Sequence, residues 1–254
     1  LEIEAHNESK KIEIEYDNSL LSIEIADEKM AEEFLKNPDE ISIETALKIT
    51  DEAADILSKH NGTLHFDELT EISDTAAESL SKHRGSLIFG EIKKLSDNAA
   101  ESLSKHQGGL GFAELTILSD SAFESLSKIE NELGLNGLTE LTDTGAKLLS
   151  KHKHLLGLLG LTEISDNVAE LLSNHQEGIL LNGLTKITDT ATESLSKIKG
   201  DLHLNGLFEL SDGAAEFLSK HQGNLFLDGL TELSGSAAES LSGHKVGVSL
   251  HGVI

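Results

Sequence analysis

Residues 211–233 read SDGAAEFLSKHQGNLFLDGLTEL, and nearly every position of that stretch finds a residue of the same class 23 positions earlier. Ser211 and Asp212 put an oxygen acceptor and a negative charge where a helix begins, satisfying free N–H groups and complementing the positive end of the helix dipole. Ala214, Ala215, Leu218 and the imidazole of His221 then recur at three- and four-residue spacing, one apolar stripe of an amphipathic helix, while Glu216, Ser219 and Lys220 face out. Gly223, just past a Lys and a His, ends a helix of about ten residues. Leu225-Phe226-Leu227 alternates with period two, a short strand with Leu225 and Leu227 on one face, and Asp228-Gly229 turns the chain. Leu230 and Leu233 come inward again before the next cap.

Working outward, Ser or Thr stands at Thr50, Ser73, Ser96, Ser119, Thr142, Ser165, Thr188, Ser211 and Ser234, followed by Asp in each case but the last, where Gly235 stands. A unit this short cannot bury its own apolar face and is stabilised by stacking on its neighbours, the arrangement of a solenoid. One inward column is Leu57, Leu80, Leu103 and their equivalents to Leu241; a second runs from Leu64 and Leu87 to Val248. A third holds Phe66, Phe89 and Phe112 and changes to Leu from Leu135 onward. Glu68, Glu91 and Glu114 change at the same point to Gly137, Gly160, Gly183, Gly206, Gly229 and Gly252, so the array has two blocks. Residues 1–40 read as a divergent N-terminal capping unit, a strand pair (residues 12–16 and 22–25) plus a helix (residues 27–36), and residues 41–254 as the array.

Composition narrows the function. Twenty basic against 45 acidic residues give a formal charge of −25, which repels nucleic acid and anionic membrane surfaces. There is no Cys, which removes disulfides, thiolate catalysis and Cys-based zinc sites. The longest apolar stretch, residues 155–161, falls far short of the ~20 residues that span a bilayer. An opening at Leu1 without Met, and without a signal-peptide pattern, reads as a mature form or an excised piece of a longer protein.

The segment Leu204-Asn205-Gly206-Leu207-Phe208-Glu209-Leu210-Ser211-Asp212 resembles a leucine-rich repeat, and residues 115–123 (LTILSDSAF) resemble the 23-residue bacterial subclass of BspA-like surface proteins, in a divergent form. Leu207 and its equivalents stand where the family usually buries Asn or Cys, and the strand proline of the BspA-like type is missing. The resemblance implies an α/β, right-handed curved solenoid (a horseshoe) of strand-turn-helix repeats. Its parallel sheet lies on the concave face and its helices on the convex face, and its role is binding, often in exported or surface-attached proteins. Curvature follows from spacing as well: strands stack at about 4.8 Å and helices at about 8–10 Å, so each repeat rotates by roughly 15–30° as an upper range.

Ser-x-x-Lys, a nucleophile motif in some acyl-transferring enzymes, occurs at Ser79, Ser102, Ser125 and Ser194, and its recurrence marks it as a helix edge. His60, His83, His106, His152, His175, His221 and His244 share a site with Ile129 and Ile198, which points to a partly buried apolar place. At helix spacing these imidazoles are too far apart to share a metal, and His152-x-His154 lacks a third ligand. The Asp column is explained by helix capping. Glu68, Glu91 and Glu114 are a weak candidate for a cation, since carboxylates about 5 Å apart on adjacent strands repel.

The outward strand residues His65, Ile88, Gly111, Gly134, Gly157, Leu180, His203, Phe226 and Ser249, flanked by Leu155 and Leu159, form the candidate ligand surface, nearly free of charge in its middle. His65, Ile88, Leu155, Leu159, Leu180, His203 and Phe226 are its contact residues. No catalytic residue, metal site or cofactor is assigned, and the expectation is a non-catalytic binding or scaffold protein, exported, acting on a protein or surface ligand through the concave face. The alternative is an accessory or stalk domain of a larger exported protein or enzyme. The final strand, Val248-Ser249-Leu250, leaves backbone groups unpaired, and the expectation is either that the parent protein continues beyond Ile254 or that two copies meet edge to edge as a homodimer.

Overall fold

A computed structural model describes residues 25–253. Each Ser or Thr of the 23-residue series is an N-cap in extended conformation whose hydroxyl accepts the backbone N–H three residues on, from Ala53 N–H at 3.1 Å on Thr50 to Ala237 N–H at 2.9 Å on Ser234. Each cap stabilises its helix by about 1 kcal/mol. The helices so started are α2 (Asp51–Leu57), α3 (Asp74–Leu80), α4 (Asp97–Leu103), α5 (Asp120–Leu126), α6 (Asp143–Leu149), α7 (Asp166–Leu172), α8 (Asp189–Leu195), α9 (Asp212–Leu218) and α10 (Gly235–Ser242).

Most of these helices run seven residues, not the ten the stripe suggested. Each of α2 to α9 stops at the column leucine with a Ser C-cap in right-handed conformation, and the His, or Ile129 and Ile198 in its place, follows in a tight turn, His221 N–H donating to Leu218 O at 3.0 Å. Gly223 therefore does not terminate the helix through a left-handed conformation; no described residue has positive φ. A Cβ there would lie 2.6 Å from the carbonyl carbon of Gly200, so it is the closeness of the preceding layer that demands glycine.

The strands are β3 (Leu64–Phe66), β4 (Leu87–Phe89), β5 (Leu110–Phe112), β6 (Leu133–Leu135), β7 (Leu156–Gly157), β8 (Ile179–Leu180), β9 (Leu202–His203), β10 (Leu225–Phe226) and β11 (Val248–Ser249). They form one nine-stranded parallel sheet in chain order, each residue paired with its equivalent one repeat on. The molecule is a curved α/β solenoid, as expected. Ahead of it, β1 (Ile25–Ala26) and β2 (Lys48–Ile49) make a separate parallel pair, and α1 (Glu28–Lys36), capped by Asp27, packs on α2. The N-terminal helix is thus where it was expected. The strand pair expected before it lies outside the described residues except for Ile25, whose partner is Lys48.

The core is a column without a break from Ala31 to Leu241. Phe66, Phe89 and Phe112 stack with centroids 5.4 and 5.1 Å apart beneath the sheet, whereas consecutive imidazoles at the far turn stand 6.1–6.3 Å apart. That widening is the gradient a curved stack requires. It also corrects the premise that helix spacing of 8–10 Å separates the histidines, because they sit in the turn and not on the helix.

The Asp column does more than cap. The N-cap hydroxyl donates to the first-turn carboxylate of the preceding repeat, Ser73 to Asp51, Ser96 to Asp74, Ser119 to Asp97, Thr188 to Asp166, Ser211 to Asp189 and Ser234 to Asp212. One hydroxyl thus accepts within its own helix and donates to the next layer back. Ser96 and Asn98 together hold the Asp74 carboxyl below its ordinary range.

Candidate functional site

The pleat that sends Leu64, Phe66 and their equivalents into the core turns the middle residue of each strand outward. His65 is exposed at one end of the sheet, with Nδ1 3.9 Å from Asp67. Ile88 on β4 lies over Gly111, since a Cβ on that glycine would be 3.1 Å from Ile88 Cδ1. Gly134 and Gly157 continue a floor without side chains across β6 and β7, and Leu180 on β8 bounds it. Ile88, Leu155 and Leu180 line a single shallow depression of about 200 Å³ with this glycine floor, Asn136 and Glu132. His203 and Phe226 stand side by side on β9 and β10 with rings parallel and centroids 3.9 Å apart. Partial burial lowers the His203 pKa, the nearby Asp201 and Asp228 opposing this. The structure therefore brings Ile88, Leu155 and Leu180 together and pairs His203 with Phe226, while His65 is apart and Leu159 lies beyond its strand, after β7.

Sequence reasoning missed a ladder on this same face. Asn136 Oδ1 accepts Leu159 N–H at 3.4 Å, Asn182 Oδ1 accepts Asn205 N–H at 3.2 Å, Asn205 Oδ1 accepts Asp228 N–H at 3.0 Å, and Asp228 Oδ1 accepts His251 N–H at 3.0 Å. The departure at Leu207 puts a standard asparagine ladder in doubt, and Leu207 is buried at that core position; a different ladder is formed by the residue after the strand. Its signal in the sequence is Asn or Asp before Gly at 23-residue spacing, Asn136-Gly137, Asn182-Gly183, Asn205-Gly206 and Asp228-Gly229, a pattern that on its own says only that the chain turns. Leu159 interrupts it, and among the described residues no acceptor takes the N–H of Asn182.

The C-terminal end gathers Ser249, His251 and Asp228. Ser249 Oγ donates to Asp228 Oδ1 at 2.6 Å, and His251 Nδ1 lies 2.8 Å from that oxygen and 2.9 Å from Ser249 Oγ. A nucleophilic triad needs the two ring nitrogens to serve different partners. Here both contacts converge on Nδ1, so the cluster is not that relay. The His251 N–H first, then the Ser249 hydroxyl and the His251 ring, lower the Asp228 pKa to about 2.

Ser-x-x-Lys resolves as a helix edge: Lys82, Lys105, Lys128 and Lys197 reach the Glu one turn before, at 3.3–3.8 Å, rather than the serine. Such exposed pairs contribute little to stability. Among the described residues no group of three or more His, Asp or Glu could hold a metal ion, and Glu68, Glu91 and Glu114 join none. The imidazoles of His83, His106, His152, His175 and His221 are buried, and burial lowers their pKa values, that of His152 to about 4. Among the described residues, both ring nitrogens of His106, His152 and His175 lack a hydrogen-bond partner.

No family model and no curated protein matches the chain. Among solved structures it is similar to a chain of the Drosophila Toll–Spatzle complex, at TM-score 0.53 and 14% identity, over 72% of this chain and 26% of that one. It is also similar to a TLR13–ssRNA13 complex (TM-score 0.49, 16% identity, 83% of this chain and 37% of that one). An internalin from Listeria monocytogenes follows, at TM-score 0.41 and 18% identity, over 80% of this chain and 74% of that one. The first of these likenesses, with the repeat geometry above, shows the leucine-rich-repeat fold; the chain spans about a quarter of the first chain and somewhat over a third of the second. Among the described residues no helix is long and apolar enough to cross a membrane.

Proposed function

We propose that the protein is a non-catalytic binding scaffold whose partner, a protein or surface ligand, docks on the outward face of the parallel sheet. The observation that carries this reading is the depression between Ile88 and Leu180, floored by Gly111, Gly134 and Gly157, on a chain of net charge −25. A backbone floor with apolar walls accepts a bulky side chain from a partner at little desolvation cost. Leu159 supports it: a half-buried leucine takes a ladder position at the expense of a hydrogen bond, the kind of local rule-breaking that accompanies function. His203 and Phe226 extend the apolar face beyond Leu180, with His65 at the other end. The 23-residue period belongs, in this reading, to the short bacterial BspA-like type, with the protein exported, residues 1–40 serving as its cap, and β11 available for edge-to-edge pairing.

The test is affinity capture on immobilised wild-type protein, Leu180→Glu, Phe226→Glu and Glu216→Lys. Loss of the captured partner with the first two and retention with the third is the expected result, all three keeping the wild-type circular dichroism. Retention with both sheet-face variants and loss with Glu216→Lys would place the ligand on the helices and end the proposal.

A further inference from the structure

The helix face carries one departure from the repeat that the sheet-face reading leaves unused. In α3, α4, α5, α8 and α9 a Glu pairs with the Lys four residues on, as Glu216 does with Lys220 at 2.8 Å, and Asp55 pairs with Lys59 in α2. In α6 that acidic position is Lys147, the one basic residue in the last turn of any of α2 to α10, and Lys151 follows a turn later. Like charges at this spacing destabilise a helix. Lys153 adds a third ammonium, and among the described residues none of the three makes an ion pair. Leu148 and Leu171 stand half-buried on adjacent helices where most other repeats carry Ser. Between α6 and α7 lies a cavity of about 500 Å³ that Lys147, Lys151 and both leucines line together with Thr144, Asn167 and one carboxylate, Asp143, so two ammonium groups face a single acid. Among the described residues, the cap rungs that tie the layers are missing on both sides of α6, from Thr142 to Asp120 and from Ser165 to Asp143.

We infer that this convex patch is a second docking surface, taking an acidic polypeptide segment that presents an apolar side chain between its carboxylates. Leu148 and Leu171 receive the apolar group and Lys147 and Lys151 the carboxylates, with Lys153 on the turn beyond α6 adding to the positive field. Charge complementarity selects this occupant on a molecule that otherwise repels anions. A long polyanion is disfavoured because the neighbouring helices carry Asp120 and Glu124 on one side and Asp166 and Glu170 on the other. Screening over about 8 Å lets a short segment on α6 escape them, and a nucleic acid backbone has no use for two leucines. The inference does not depend on the sheet face.

A fluorescein-labelled twelve-residue peptide of Glu with two Leu, and the same peptide with Gln for Glu, supply the probes for anisotropy with the whole chain. Lys147→Glu, Leu148→Ser and Leu171→Ser each install the residue common at that position elsewhere in the array, so folding is preserved. The wild type binds the acidic peptide and not its Gln form, the affinity falls with salt, and Lys147→Glu loses about tenfold or more. Leu148→Ser with Leu171→Ser weakens binding further. Unchanged affinity in all variants, no binding of the peptide by wild type at about 1 mM, or tighter binding of an oligothymidylate that ignores the leucine changes would each overturn the assignment. So would salt-sensitive self-association lost with Lys147→Glu, which would make the occupant a second copy.

Discussion

The block of β3 to β5 and the block from β7 onward hold the same register by different means, and the difference lies in where one backbone carbonyl is used. In the first block the residue after each strand donates to the preceding strand's last carbonyl, Gly90 N–H to Phe66 O and Ala113 N–H to Phe89 O, both at 2.9 Å. In the second block that carbonyl is taken by a turn within its own repeat, Leu207 N–H to Leu204 O at 3.2 Å and Leu230 N–H to Leu227 O at 3.2 Å. The freed N–H then needs another acceptor, and Asn136, Asn182, Asn205 and Asp228 supply it from their side chains. The tight turn presses Gly206 to 2.6 Å, measured from a built Cβ, of Leu184 O, which is why Glu gives way to Gly where the turn begins. The changes of Phe to Leu and of Glu to Gly, at Leu135 and Gly137, are therefore one change of turn, and the strands shorten from three residues to two one repeat later, at β7.

If the ring stack is what holds the first block, Phe89→Ala should cost about 3–5 kcal/mol in urea denaturation, since Phe89 is fully buried between two rings. A cost under about 1 kcal/mol would show that the rings only fill space that relaxes. Gly206→Ala sharpens the contrast: it should cost about 1–3 kcal/mol, whereas Glu91→Ala at the equivalent place in the first block stays within about 0.5 kcal/mol. Equal effects at the two sites would remove the turn as the cause.

The imidazole column runs through both blocks and predicts a pH dependence. Burial sets the folded pKa of His152 at about 4, below the ordinary 6.5, so between these values the unfolded chain binds more protons. Stability is full above about pH 6.5 and falls as pH drops toward 4. A melting temperature several degrees lower at pH 5 than at pH 7.5 is expected, and His152→Ile, which copies Ile129 and Ile198, should flatten that slope. An unchanged melting temperature would exclude the column as a titrating element. The smallest effect is a gain: Leu159→Asn restores the missing rung to the N–H of Asn182 and should add about 0.5–1.5 kcal/mol while weakening ligand capture. A stabilised variant with undiminished capture would detach Leu159 from the binding face.

Much of this was legible because a period of 23 residues makes each unit testify for the others. Ser211 with Asp212 located a helix start, Leu225 with Leu227 an inward pair, and Phe112 against Leu135 the boundary between blocks. The helix end was not legible, because Gly223 invites a left-handed cap and only the preceding layer shows that it is there for room. The candidate surface was read as a row of outward residues; that Ile88, Leu155 and Leu180 share one depression while Leu159 does not line it required the sheet to be assembled.

By itself the sequence determined the repeat, its inward columns and the outward row, since periodicity and alternation are properties of the chain. Only the tertiary structure decided which acceptor each inter-repeat N–H and hydroxyl finds, because those partners lie 21–24 residues away and compete for the same carbonyls and carboxylates. Asp51 reads as a cap residue along the chain and becomes a rung to Ser73 when the layers meet. Gly206 reads as a turn residue and becomes the space into which Asn182 O fits. Stacking at strand spacing leaves no room for alternatives at such points, and that closeness exists only between repeats.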